Sequence, residues 1–181
     1  TLAVSGATTL IASGQDITLD EAASTFGTLA LTGSNVAVTE NAAMDLGAST
    51  IGGTANFNST SNVITDSGTL AITGATTINA GTADIALDQA AAIFGALALT
   101  GANVAVTENA ATDLAASTVS GTLGITSTGP VTDSGTLAII GATTIRASGQ
   151  DLALDEAAST FGAVALIGAN VAVTENAATD L

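Results

Sequence analysis

Along this chain, apolar and polar residues alternate in short bursts. Leu2-Ala3-Val4, Ile17-Thr18-Leu19, Leu29-Ala30-Leu31 and Val36-Ala37-Val38 each place an apolar side chain at every second position. A period of two sends one row of side chains inward and the other outward, so these bursts predict short, half-buried strands. Between them stand Gly6, Gly14, Gly27, Gly33 and Asn35, residues that free positive φ or satisfy local backbone groups and so predict turns. Two segments, DEAASTFG at 20–27 and TENAAMDLG at 39–47, carry the cap-like residue, the alanines and the closing glycine of a helix. Each is shorter than ten residues and lacks a full amphipathic stripe, so the expectation is an all-β chain.

The bursts recur in a fixed order. TLAVSGATTLIASGQDITLDEAASTFGTLALTGSNVAVTENAAMDL at 1–46 returns at 69–114 and again at 136–181, and the first and third copies agree at 35 of 46 positions. Related spacers at 47–68 and 115–135, the second shorter by one residue, complete the units. The chain therefore reads as one solenoid segment divided into repeat 1 (1–68), repeat 2 (69–135) and a partial repeat 3 (136–181), a window on a longer array. Nine to ten strand-like pieces per unit, grouped three to a coil, predict a right-handed parallel β-helix. Its expected coils number about three per unit, of roughly 20–25 residues each.

The copies also serve as an internal alignment. Val4 becomes Ile72 and Ile139, Leu10 becomes Ile78 and Ile145, and Ile17 becomes Ile85 and Leu152, exchanges close in volume that mark inward positions. Ile11 becomes Asn79 and Arg146, and Met44 becomes Thr112 and Thr179, which predicts that both positions face solvent. Phe26, Phe94 and Phe161, one per unit and each followed by glycine, are expected as the largest core plugs. Asn35, Asn103 and Asn170 precede the VAV strand, where their amides can bond turn backbone or stack as ladders along the axis.

Composition narrows the functions open to such a rod. Sixteen acidic residues against a single Arg give a net charge of −15, which argues against nucleic acid and anionic membrane surfaces as partners. No apolar run approaches the ~20 residues that span a bilayer, so membrane insertion is not expected. Without His, Cys, Lys, Tyr or Trp, the chain lacks most nucleophiles, bases and oxyanion donors. Carboxylate pairs remain, but they repeat with the scaffold, whereas a catalytic site is a singular departure from it; no enzyme activity and no cofactor are expected. The acids recur at Asp16/Asp84/Asp151, Asp20/Asp88/Asp155, Glu40/Glu108/Glu175, Asp45/Asp113/Asp180 and Asp66/Asp133, and are read first as solubilising charge at turns. Calcium is the one metal worth considering, with Asp20, Glu21, Asp88, Asp155 and Glu156 as oxygen donors, although neither an EF-hand loop nor the nonapeptide calcium pattern is present.

Segments such as GTLALTGSNVAVTENAA and ALTGANVAVTENAATDL resemble the repeat regions of filamentous-haemagglutinin-like, two-partner-secretion bacterial adhesins. The resemblance implies an extracellular or cell-surface location and a role as adhesin stalk, filament or biofilm matrix component. A self-assembling filament or sheath without receptor binding is the alternative, and a calcium-stabilised module a weaker one. The expected partners are neighbouring repeats of the same chain and other copies of it.

Overall fold

A computed structural model describes residues 1–176, and among them every regular element is a strand: 22 strands of three to six residues and no helix. All strand pairs are parallel, and they assemble two 11-stranded sheets. Strands pair with counterparts one coil later, the shortest steps running from Thr28 to Asp45 and from Leu97 to Leu114 and a long one from Ala71 to Ile93. The result is a β-solenoid of about eight turns. Both segments that carry helix-like end signals join this pattern, as a turn over 20–27 and as strand Met44–Leu46 within 39–47.

Inward positions form one continuous apolar column. Leu29, Leu31, Leu46, Ile51, Phe57, Ile64, Leu70 and Ile78 are fully enclosed, each packed between the residues one coil above and one coil below. Phe26, Phe94 and Phe161 are buried, at 7%, 5% and 8% exposure. The largest fully buried side chain, however, is Phe57 in the spacer, a position without an aromatic counterpart in the second spacer. Stacking continues without a break across residue 68, where strand Ser49–Ile51 pairs with Leu70–Ile72. Leu2–Val4, read as a strand, makes only the Ala3↔Thr25 bridge, and its equivalents Leu70–Ile72 and Leu137–Ile139 are full strands because they have coils on both sides.

The unit does not close on a whole number of coils. Strand Thr28–Gly33 lies in one sheet, its copy Leu97–Gly101 lies in the other, and its second copy Val164–Ile167 returns to the first. Thr28 reaches Ala165 in seven paired steps, through Asp45, Thr65, Ala86, Ala105, Gly124 and Thr144. Two sequence units carry Thr28 to Ala163, so seven coils fit two units to within two residues. Each unit thus advances about three and a half coils, and successive copies are turned by half a revolution. Coils shorter than the sequence suggested account for this, since the long turn at 20–27 is followed by the short step from Thr28 to Asp45.

Glycine sets how closely coils approach at the corners. A Cβ on Gly74 would lie 2.5 Å from the Gly53 carbonyl oxygen, and one on Gly95 would lie 2.3 Å from that of Gly74. Gly121, Gly141 and Gly162 repeat the arrangement half a turn round, at 2.4 and 2.5 Å. Left-handed glycine backbone occurs once per copy, in the turn ahead of the Ile17 strand and its equivalents, at Gly14 (φ 73°), Gly81 (φ 58°) and Gly149 (φ 72°).

One expectation from the internal alignment is overturned. Met44 and Thr112 are each 1% exposed, not solvent-facing, and Thr179 lies outside the described residues. The position tolerates both residues because it abuts a buried carboxylate: Thr112 Oγ1 donates to Glu108 Oε2 at 2.8 Å, while Met44 fills the same space without a hydrogen bond. Ile11 and Arg146 are exposed and Asn79 half-buried, in line with an outward position.

Candidate functional site

The side chains that carry chemistry divide between two kinds of corner. At the first, an asparagine ties three coils together. Asn35 donates through its backbone N–H and Nδ2 to Asp16 Oδ1 at 3.0 and 2.9 Å, and its own Oδ1 accepts from the Thr54 N–H at 2.9 Å. Asn103 repeats this between Asp84 and Thr122, and Asn170 Nδ2 donates to Asp151 at 2.7 Å. Asn35 and Asn103 therefore each centre a separate short ladder across three coils, Asp to Asn to Thr, in which no asparagine bonds another. Since the copies alternate sides, the ladder segments alternate as well.

At the second kind of corner, carboxylates point into the rod. Strand Val36–Glu40 carries its valines at inward positions 36 and 38, and Glu40 continues the same parity. Glu40 and Glu108 are 0% and 1% exposed. Glu40 Oε2 accepts the Phe26 N–H at 2.9 Å, Glu108 Oε1 accepts the Phe94 N–H at 2.8 Å, and Glu175 Oε2 accepts the Phe161 N–H at 3.3 Å. Burial pushes the Glu40 and Glu108 carboxyls above the usual carboxylate range, and the donated N–H groups only partly oppose it.

Asp66 and Asp133 occupy the same inward parity in Ile64–Asp66 and Val131–Asp133. Asp66 Oδ1 accepts the Asp88 N–H and Asp133 Oδ1 the Asp155 N–H, both at 2.8 Å, while the Glu156 N–H reaches Asp133 Oδ2 at 3.4 Å. Both carboxyls are raised, chiefly by burial, with the neighbouring Asp88 and Asp155 charges adding to the rise. The reading of the acids as solubilising surface charge thus fails for Glu40, Asp66, Glu108 and Asp133. Their signal was present in the sequence, as an acid standing two residues after inward apolar positions.

The calcium candidates are placed differently from a chelating set. Asp20, Glu21, Asp88 and Asp155 are exposed and Glu156 half-buried. Asp88, Asp155 and Glu156 contribute their backbone N–H groups inward, and Glu21 pairs with the N-terminal amine at 3.6 Å. Among the described residues, no group of three or more His, Cys, Asp or Glu is gathered as a metal ion would require. A shallow groove over Gly124, between Asp88 and Arg146, is formed where a column of small outward residues lacks a side chain. Among the described residues no helix is long and apolar enough to cross a membrane.

The model of a family described as Repeats of unknown function (DUF5649) matches residues 1–32, 33–100 and 101–168. No curated protein and no solved structure matches the chain.

Proposed function

The chain belongs to the DUF5649 repeat family, and from the way its units stack, together with the resemblance of their sequence to haemagglutinin-like repeats, we propose that it is a structural segment of a large secreted or cell-surface fibrous protein, serving as a stiff stalk. The observation that carries this reading is the unbroken stacking of near-identical units, in which core, glycine corners and Asp–Asn–Thr ladder each join one coil to the next. A repeat that contacts only its neighbours can be multiplied at will, so length is what such a chain supplies. At the strand spacing of about 4.8 Å, three and a half coils add about 17 Å per unit.

The alternative, a filament that assembles from many chains, draws support from Ile11 and Ile140, which are 73% and 76% exposed. The neighbours of Ile11 and of exposed Ile167 favour the stalk, because Ile11 stands beside Thr32 and Ile167 beside Arg146 on the neighbouring coil, so neither continues into an apolar row there. Adhesion and a bacterial surface location rest on the resemblance to haemagglutinin-like repeats.

Electron micrographs of purified arrays with increasing copy number test the proposal. Isolated slender rods that lengthen by about 17 Å per unit are expected. Compact particles, or bundles whose length does not follow copy number, would overturn it, bundles pointing to the filament instead. Protease treatment of intact producing cells tests location, and full protection of the repeats would sink the surface assignment.

A further inference from the structure

The inward glutamates are not needed for the scaffold to be a scaffold. A buried carboxylate without a cation beside it costs stability, and a neutral acceptor would hold the same backbone N–H. Nothing positive is at hand to neutralise them: the chain contains one Arg, and Arg146 is exposed. What packs against them is neutral. Ser59 stands opposite Glu40 and Ser127 opposite Glu108 on the following coil, with Met44 and Thr112 at the same places in the two copies. The carboxylates of the preceding turn, Asp20, Glu21 and Asp88, are exposed, and no charged neighbour contributes to the shift of either glutamate.

We propose that these glutamates are proton-operated latches: in mild acid each takes up a proton and sheds its buried charge without releasing the phenylalanine N–H, so that the rod resists unfolding more strongly as the pH falls. Geometry provides the place for the proton. Glu40 Oε1 is buried with no hydrogen-bond partner in the protein, while Oε2 alone holds the Phe26 N–H. On Glu108 the proton goes to Oε2, and the Thr112 hydroxyl rotates from donor to acceptor. The direction follows from linkage. A carboxyl raised by folding binds its proton more tightly in the folded chain, so its contribution is fully present below the ordinary value of 4.5 and is lost as the pH rises through the raised one.

Thermal unfolding of the full chain between about pH 7.5 and about pH 4.5, in about 1 M salt to screen surface repulsion over ~3 Å, tests the latch. The midpoint of the native chain is expected to climb on acidification. Glu40→Gln with Glu108→Gln should begin higher at neutral pH and show a flatter profile, whereas Asp20→Asn with Glu21→Gln should keep the native slope. A native midpoint that stays level or falls in acid overturns the proposal, as does a native slope in the glutamine variant. Should that variant not fold, carbon-13 titration of the glutamate carboxyls in the unaltered chain decides: Glu40 and Glu108 should titrate above the ordinary glutamate value of 4.5, and titration at or below that value would refute the latch.

Discussion

Replacing Gly74 by Ala isolates what the stacking of coils demands. The added methyl would meet Gly53 O at 2.5 Å, Gly53 C at 2.6 Å and Thr54 N at 2.9 Å, all backbone atoms that no rotamer change can move aside. Ordinary contact needs about 3.5 Å or more, so the coils must part by roughly 1 Å where they are otherwise joined by the Gly74 N–H to Gly53 O bond of 2.9 Å. Overpacking of this kind costs about 1–3 kcal/mol, against a gain of about 0.4–1 kcal/mol from the stiffer unfolded chain. A net loss of about 1 kcal/mol lowers the unfolding midpoint by about 2–4 °C in a chain of this length. Gly6, at the same place in the repeat, has nothing within 4 Å of its Cβ position, and Gly52 has only Gly33 O at 4.0 Å. Circular dichroism melts of the three alanine variants should therefore show a loss at Gly74 and little change or a small gain at Gly6 and Gly52. Equal midpoints for Gly74→Ala and Gly52→Ala would refute the account of the corners.

Other expectations follow from particular contacts. Thr112→Val keeps the shape but leaves Glu108 Oε2 without its donor, and should cost about 1–3 kcal/mol in urea unfolding, with no loss meaning that the hydroxyl contributes nothing. Chelator should leave the melting midpoint unchanged, because the exposed carboxylates form no gathered donor set; a fall would restore calcium as a structural ligand. Aligned fibres of longer arrays should diffract with an axial repeat of about 34 Å, seven strand spacings, and not with a full repeat of three coils, about 14 Å.

How much of this was written in the residues can be traced position by position. Alternation at Leu29-Ala30-Leu31 and Val36-Ala37-Val38 specified strands with one inward face, because a period of two has only one way to bury its apolar row, and parallel stacking was legible only in the return of the same bursts in the same order. The same parity rule places Glu40 and Asp66 inside, a deduction open to the sequence but hidden by the habit of assigning acids to the surface. Exchange between copies misled at Met44 and Thr112, since a polar substitute signals exposure only where no buried group is waiting to bond it. The ladder from Asp16 through Asn35 to Thr54 was half legible: the asparagines stood out, but their partners lie 19 residues away on either side.

What the sequence by itself determined is therefore the strand, the inward face and the period of the unit. Only the tertiary structure decided how many coils that period fills. Coil length is not carried by any one residue; it is set by where apolar rows and glycine corners come into register with the coil beneath. Steps as different as Thr28 to Asp45 and Ala71 to Ile93 satisfy that condition. Their sum leaves each unit half a turn out of phase with the last, so near-identical sequences face opposite sides of the same rod.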